Sequence, residues 1–508
     1  MSLSRRRFLQ GASAAALAWP LGVSARQAPP TSGFFKHGVA SGDPLTDRVM
    51  LWTRVTTPAE TTTVRWRIAA DEKLNQIVAS GSSETSAARD WTVKVDAAGL
   101  RPGRTYYYAF DAHGDQSPIG RTKTLPEESV SRLQIAQVSC SNYPAGYFNV
   151  YRCLANRPDL DAVLHLGDYI YEFANGTYGD GSAMGRVPLP AGEARTLIDY
   201  RQRYATYRSD IDLQAAHATH PFIAVWDDHE IVNDASRDGF PGYRGTAERW
   251  HARLAEAYQA YLEWMPVREF KGGGIHLYRD FRFGRLVDLL MLDTRSLRDG
   301  QAAPRDASKL GDPKRSILGA EQEAWLFANL LRSQKAGQAW RVLGQQILFA
   351  PLTPPGVSPQ NTDVWDGYPV ARTRVMDYLE RERISNVAIL TGDIHSSWAM
   401  DVPRNAFRGY APATGAGSLA VELVTPAISS PPLFATAGMR EATMLLRLAA
   451  PHLKFLEGEN HGYVLLDIDA TRLQADWYFV PSVDTRSADE VRAARFVCER
   501  NASHLVSA

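Results

Sequence analysis

From Leu133 onward the chain repeats one unit: a short, almost uninterrupted apolar run that gives way to a polar loop and then to a helical segment. Leu133 to Val138, Ala162 to Leu166, Pro221 to Trp226, Leu286 to Leu292, Trp340 to Phe349 and Val387 to Leu390 are such runs. Ala247 to Trp264, Gly319 to Ser333 and Val370 to Arg383 carry helical periodicity between them. Strands that are apolar on both sides must be covered on both sides, and helical crossovers let neighbouring strands run parallel, so the pattern predicts an α/β domain. In such domains functional groups gather in the loops after the carboxyl ends of strands.

Those loops hold metal-ligand types. Cys140 and Asn142 follow the first strand, Asp168, Tyr171 and Glu172 the second, Asp227, Asp228, His229 and Glu230 the third, and Asp393 and His395 the Val387 strand. Singly, each has an ordinary explanation, since Gly-Asp after a strand is commonly a capped turn. Adjacent Asp227 and Asp228 repel each other unless a cation or hydrogen bonds compensate. Thiol, carboxylate, phenol and imidazole recurring at four strand ends therefore favour a metal site.

Length and composition set the bounds. At 508 residues the chain exceeds what one core usually serves, which predicts two domains. Hydrophobic residues at 44% and charged ones at 22% exclude a disordered or fibrous chain. Basic and acidic residues balance at 56 each, so no global field draws the protein to nucleic acid, no nucleic-acid-binding module is evident, and a phosphate site has to be local. Cys140, Cys153 and Cys498 are too few and too scattered for a disulfide framework.

Arg5, Arg6 and Arg7 stand ahead of Phe8, Leu9 and an Ala-rich apolar run to Val23, and the segment resembles a twin-arginine signal peptide spanning 1–28. The run falls short of the ~20 apolar residues of a membrane span. The reading implies export of the folded protein through the twin-arginine translocase to a periplasmic or extracellular location. Alternating runs at Val49 to Val55, Thr63 to Ile68 and Thr105 to Phe110 predict a small β-sandwich domain over 34–126. The catalytic domain is expected over 131–482, closed by a hairpin of Gly462 to Ile468 and Leu473 to Tyr478, with a polar tail over 483–508. The sequence leaves open what the Gly- and Pro-rich stretch from Phe173 to Glu193 does over the site, a lid being one reading.

Together SCSNY, GDYIYE, WDDHE, LDTRS, GQQILFAPL, WDGYP and GDIHSSW, behind a β-rich opening GVASGDPLTDRVMLWTRV, resemble the PhoD-like alkaline phosphatase/phosphodiesterase family of the calcineurin-like metallophosphoesterase superfamily. The resemblance implies a four-layer αββα sandwich behind an immunoglobulin-like β-sandwich domain, and a centre of Fe³⁺ with one or two Ca²⁺ ions. It implies Cys140 and Tyr171 as iron ligands, Asp168 as the bridging carboxylate, and Asp228, Asp393 and His395 as further metal ligands. Carboxylates at Asp228 and Asp393 replace the Asn and His of the wider superfamily, which shifts the second site towards the oxygen donors that calcium prefers. His229 corresponds to the proton donor, with Asp168 and Asp228 also in the catalytic set. Asn142, Arg295, Trp365 and Asp366 are expected to touch substrate. The implied activity is hydrolysis of phosphate monoesters, diesters or both, small or polymeric, by metal-activated water or oxide. The alternatives are a phospholipase D-like or teichoic-acid phosphodiesterase and, in another class, a metal-stabilised envelope-binding protein without turnover. A cysteine-nucleophile phosphatase is excluded, because Cys140 has no Gly-rich anion loop or Arg just after it.

Overall fold

The computed structural model describes residues 33–128 and 130–508, so the signal read over 1–28 lies outside the described residues. Two sheets face each other, one of ten strands and one of seven. The centre of the first is parallel: Val163 of Ala162–His165 pairs with Ala136 of Arg132–Val138 on one side and Phe222 of Pro221–Ala224 on the other. The centre of the second is parallel too, built from Val287–Met291, Trp340–Gly344, Val387–Thr391 and Ser418–Val424.

Period-two alternation along these strands decides what each face meets. Leu289 and Leu390 point inward, where they join Ile135, Leu164 and Ile223 of the facing sheet in one core. Their neighbours Leu290 and Ile389 point outward, against Leu326 and Leu330 of the helix Gly319–Lys335 and Val375 and Leu379 of the helix Pro369–Arg381. The ten-stranded sheet is covered by Asn149–Ala155, Leu197–Arg208, Ile211–Thr219 and Ala247–Trp264, the last burying Trp250, Leu254, Ala257, Tyr261 and Trp264 along one stripe. The layers are thus αββα, as expected. Polar groups also tie the sheets together: Gln137 donates from Nε2 to the carbonyls of Thr391 and Leu423, 3.0 Å each.

The N-terminal region is a sandwich with a shared half. Thr61–Ala69, Ile77–Ser86, Thr105–Ala112, Asp115–Gln116 and Gly120–Lys123 form a five-stranded sheet. Its apolar face, including Val64, Ile68 and Phe110, packs on Val49, Leu51 and Val93. Those residues belong to Arg48–Arg54 and Thr92–Ala98, which extend the ten-stranded sheet through the parallel pairing of Val39–Gly42 with Pro221–Ala224. The segment 483–508, read as a polar tail, instead carries two strands, Val491–Glu499 and Leu505–Ser507, at the opposite edge of that sheet. The alternation is there, but charged residues on the open face mask it. Phe496 packs on Trp477 and Phe455, with ring centroids 5.9 and 5.8 Å away.

The stretch from Phe173 to Glu193 is pinned from below by the helix Leu197–Arg208. A capping box of Thr196 and Asp199 starts this helix. The buried Arg203 then donates to the carbonyls of Tyr171, Phe173, Leu189, Pro190 and Gly192. Phe496→Ala is expected to cost about 3 kcal/mol of stability in a urea unfolding titration, as large-to-small changes at packed aromatics do; a true tail would show no change.

Candidate metal centre and active site

Four donors sit in strained backbone. Cys140, Asp168, Asp393 and His395 have φ of 62°, 54°, 62° and 51°, a left-handed conformation uncommon for residues other than glycine and concentrated at functional sites. The turns aim side chains from three strand ends into one place. At Gly167, with φ 103°, a Cβ would lie 2.4 Å from Asp227 Cβ and 2.5 Å from its backbone nitrogen, so only glycine lets the Asp168 and Asp227 loops approach this closely. Buried Glu230 fastens the same two loops by accepting from the backbone nitrogens of Asp168 (3.1 Å), Tyr169 (2.6 Å) and Asp227 (2.8 Å).

The ligand atoms form three overlapping groups, each within 4.8 Å: Cys140 with Asp168 and His395, Asp168 with Asp228 and His229, and Asp227 with Asp228 and Asp393. Asp168 is shared by the first two and Asp228 by the last two. Tyr171 belongs at the first: its hydroxyl donates to Asp168 Oδ2 at 2.8 Å, lies 3.0 Å from His395 Nε2 and accepts from Ser430 at 2.7 Å. His395 Nδ1 lies 3.0 Å from the Pro431 carbonyl and 2.9 Å from the Tyr178 hydroxyl. A carbonyl can only accept, so Nδ1 carries a proton, and Nε2 is the nitrogen that faces Asp168 and Tyr171.

The charge state of this centre calls for a cation. Burial, reinforced by Asp168, pushes the Cys140 thiol and the Tyr171 phenol well above their ordinary values. Burial likewise raises the carboxyls of Asp227, Asp228 and Asp393, although Arg295 beside them pulls the other way. Burial works against ionising Asp168 too, but the imidazoles of His229 and His395 outweigh it and hold that carboxyl down at about 2. Asp168 Oδ1, Asp227 Oδ2 and Asp228 Oδ1 are buried without any hydrogen-bond partner. Partnerless carboxylate oxygens on residues whose ligand atoms lie within 4.8 Å of a thiol, an imidazole or further carboxylates are a donor set that multivalent cations fit.

His229 faces the same space. Its Nδ1 is 2.8 Å from Glu172 Oε2, and Glu172 in turn accepts from the backbone nitrogen of Asn233 at 2.7 Å. Burial opposes the imidazolium, yet the carboxylates of Glu172, Asp168 and Asp228 prevail and keep it protonated well above the usual histidine value. The proton on Nε2 points into a cavity of about 300 Å³ lined by Asp168, Tyr178, Asp228, His229, Asp393 and His395 among others.

The structure brings together Cys140, Asp168, Tyr171, Asp228, His229, Asp393 and His395. It does not bring the four expected substrate contacts to the cavity wall. Arg295 is fully buried and donates to Asp227, to Asp363 Oδ2 at 2.7 Å and to Asp393 Oδ1 at 2.8 Å, so it is a countercharge for the acidic cluster. Asn142 donates to the Tyr178 carbonyl beneath the cavity rim. Trp365 lies in the core, edge-on to Phe349 at 4.8 Å and bonded to Gln345. Asp366 binds Arg372 and the backbone nitrogens of Leu352 and Thr353. Sequence reasoning passed over Tyr178, Asn233, Asp234 and Asp363. Asp234 with φ 61° follows the Asp227 loop closely and was open to notice; Asp363 sits in a loop with no strand before it to mark it.

The overall arrangement resembles a purple acid phosphatase from yellow lupin (Lupinus luteus) seeds, with a TM-score of 0.55 and 11% identity over 91% of this chain and 74% of that one, a likeness of fold. Fold and donor set define the class of metal-dependent phosphoesterases. Within it, the chain belongs to the PhoD-like phosphatase family: residues 135–477 match that family and residues 22–126 its N-terminal domain. It is 37% identical over 535 residues to alkaline phosphatase D of Bacillus subtilis (strain 168), covering 99% of this chain and 89% of the relative. A solved structure of PhoD superposes with a TM-score of 0.85 at 36% identity, covering 94% and 92% of the two chains. The chain is accordingly a phosphoester hydrolase.

Arg295→Met leaves the surrounding carboxylates without their common partner. In protein stripped of metal it should lower stability by about 3–5 kcal/mol, the cost of breaking a buried ion pair from one side, measured by urea unfolding.

Proposed function

We propose that the protein hydrolyses phosphate monoesters, diesters or both outside the cytoplasm, with Fe³⁺ held by Cys140, Tyr171, Asp168 and His395, and Ca²⁺ held by Asp168, Asp228 and Asp393. The observation that carries the metal assignment is the position of Asp168, common to two donor groups and with one oxygen lacking any partner. A thiolate and a phenolate side by side suit a strongly charged ferric ion, and an oxygen-rich neighbour suits calcium. When bound, such cations neutralise the phosphate and lower the pKa of water.

The remaining work falls to the chain itself. Glu172 orients His229 and keeps its Nε2 proton facing the cavity, where it can be delivered to the departing alkoxide of the ester. Glu230 holds the Asp168 and Asp227 loops at fixed separation, and Ser430 holds the Tyr171 hydroxyl. Tyr178 and Phe173 stand over His229, with rings 6.5 and 5.1 Å from it, and narrow the access of water. Export is supported by the Arg5–Arg7 motif and the apolar run behind it, which would be read by the twin-arginine translocase. Among the described residues no helix is long and apolar enough to cross a membrane.

Elemental analysis of the purified protein should return near-stoichiometric iron together with calcium, and a visible charge-transfer band that Tyr171→Phe or Cys140→Ala removes. Asp168→Asn should lower phosphoesterase kcat by about 10³-fold, the scale reached when an essential electrostatic group is lost. Active, folded protein that contains zinc alone would overturn the assignment of the metals.

A further inference from the structure

A second concavity of about 560 Å³ opens beside the reaction cavity and shares Phe173, Asn233 and Asp234 with it. Phe173 is the partition: its ring is 5.1 Å from His229 on one side and lines the groove on the other. Beyond it stand Phe240 and Tyr243, half-buried, 5.2 Å apart and both backed by Trp250 at 5.9 and 5.8 Å. Trp250 is itself fully buried on its helix, so the two rings rest on a rigid floor.

The groove's charges and rings decide what kind of group suits it. Arg195 and Arg253 share Glu193, at 2.6 and 3.0 Å; Arg253 is further taken up by the Tyr200 hydroxyl and the carbonyls of Ala194 and Ile231, while the exposed Arg195 has that one carboxylate. At the entrance burial raises the Asp234 carboxyl to about 7, so it is no standing barrier to anions, and it is the pair of half-buried rings that sets the preference, for a flat group held by stacking.

We propose that this groove is the leaving-group subsite and that it takes an alcohol carrying a flat ring, of the nucleoside class. The proposal rests on the phosphoesterase reading above, with His229 as proton donor. Hydrolysis breaks the phosphorus–oxygen bond to the alcohol, the water's hydroxyl joins phosphorus, the alcohol leaves with the proton supplied at Nε2 of His229, and the proton shed by the water restores that nitrogen through solvent. Its carbon skeleton therefore departs on the His229 side, and the space on that side beyond Phe173 is the groove. Its volume lies in the range of sites that enclose small organic ligands.

The test compares adenosine 5′-monophosphate with glycerol 3-phosphate on the metal-loaded full chain. Both release a primary alkoxide, so intrinsic leaving ability cancels and the ratio of kcat/KM values reports what holds the alcohol. The ratio should favour the nucleotide and fall about tenfold in Phe240→Ala and Tyr243→Ala, as expected for one lost stacking contact. Because both rings rest on Trp250 and truncation could loosen the loop, the unaltered enzyme provides a second measurement. Adenosine should inhibit glycerol 3-phosphate hydrolysis competitively and at least tenfold more strongly than ribose. Equal inhibition by adenosine and ribose, or a ratio indifferent to both substitutions, would overturn the subsite while leaving the phosphoesterase reading intact. Failure to hydrolyse either ester would overturn both.

Discussion

Crowding of negative charge out of water is the constraint on which the centre of this protein depends. Asp227, Asp228, Asp363 and Asp393 converge on the one guanidinium of Arg295, and Asp168 lies just beyond. Among the described residues a second guanidinium reaches only Asp363 of the four, from Arg298 at 2.7 Å, so acid outnumbers base in the cluster and the geometry is held under electrostatic tension by the sheets. The partners come from both: Asp168, Asp227 and Asp228 follow strands of the ten-stranded sheet, while Arg295 and Asp393 follow strands of the seven-stranded one. The site is consequently also a clamp between the sheets, and its ions would fasten the halves of the sandwich together as well as act on substrate.

Much of this was legible in the residues. The apolar runs located the parallel strands because strands buried on both faces leave little room for polar side chains, and the helix Ala247–Trp264 was read to its ends because its buried stripe is aromatic and aliphatic. The helix Leu197–Arg208 escaped for the opposite reason: its buried face is Tyr200, Arg203, Tyr204 and Tyr207, amphipathic side chains that do not announce a core. The candidate ligands announced themselves by lying directly after strands. Arg295 did so as well, but a sequence cannot say whether an arginine beside a phosphate site faces the phosphate or the acids behind it. Trp365 and Asp366 illustrate the same limit, since packing of the loop after Leu348 turned both inward.

The loop from Tyr171 to Gly192 joins these themes. Its first residue is a candidate iron ligand, Phe173 separates two cavities, and Tyr178 reaches His395, while the stretch is anchored by the buried Arg203, by Asn142 on the Tyr178 carbonyl and by Arg186 on Asp210 and the Tyr143 carbonyl. Five carbonyls on one guanidinium make a stiff support for a segment with so many Gly and Pro residues. Substrate access is thereby governed less by a swinging cover than by which side chains line a fixed opening.

The ten-stranded sheet also has a temporal aspect. Its middle is laid down by residues 132 to 224, one edge by Thr92–Ala98 and the other by Leu505–Ser507, so pairings span nearly the full contour of the chain. Sheets dominated by such distant partners fold slowly, and during synthesis the first strands are exposed long before their last partners are made. A nascent chain with this connectivity cannot close its central sheet until Gly462–Asp469 arrives, and until then the backbone of Arg132–Val138 offers an open edge to any neighbouring strand. The exposure of that one edge is written into the order of the strands.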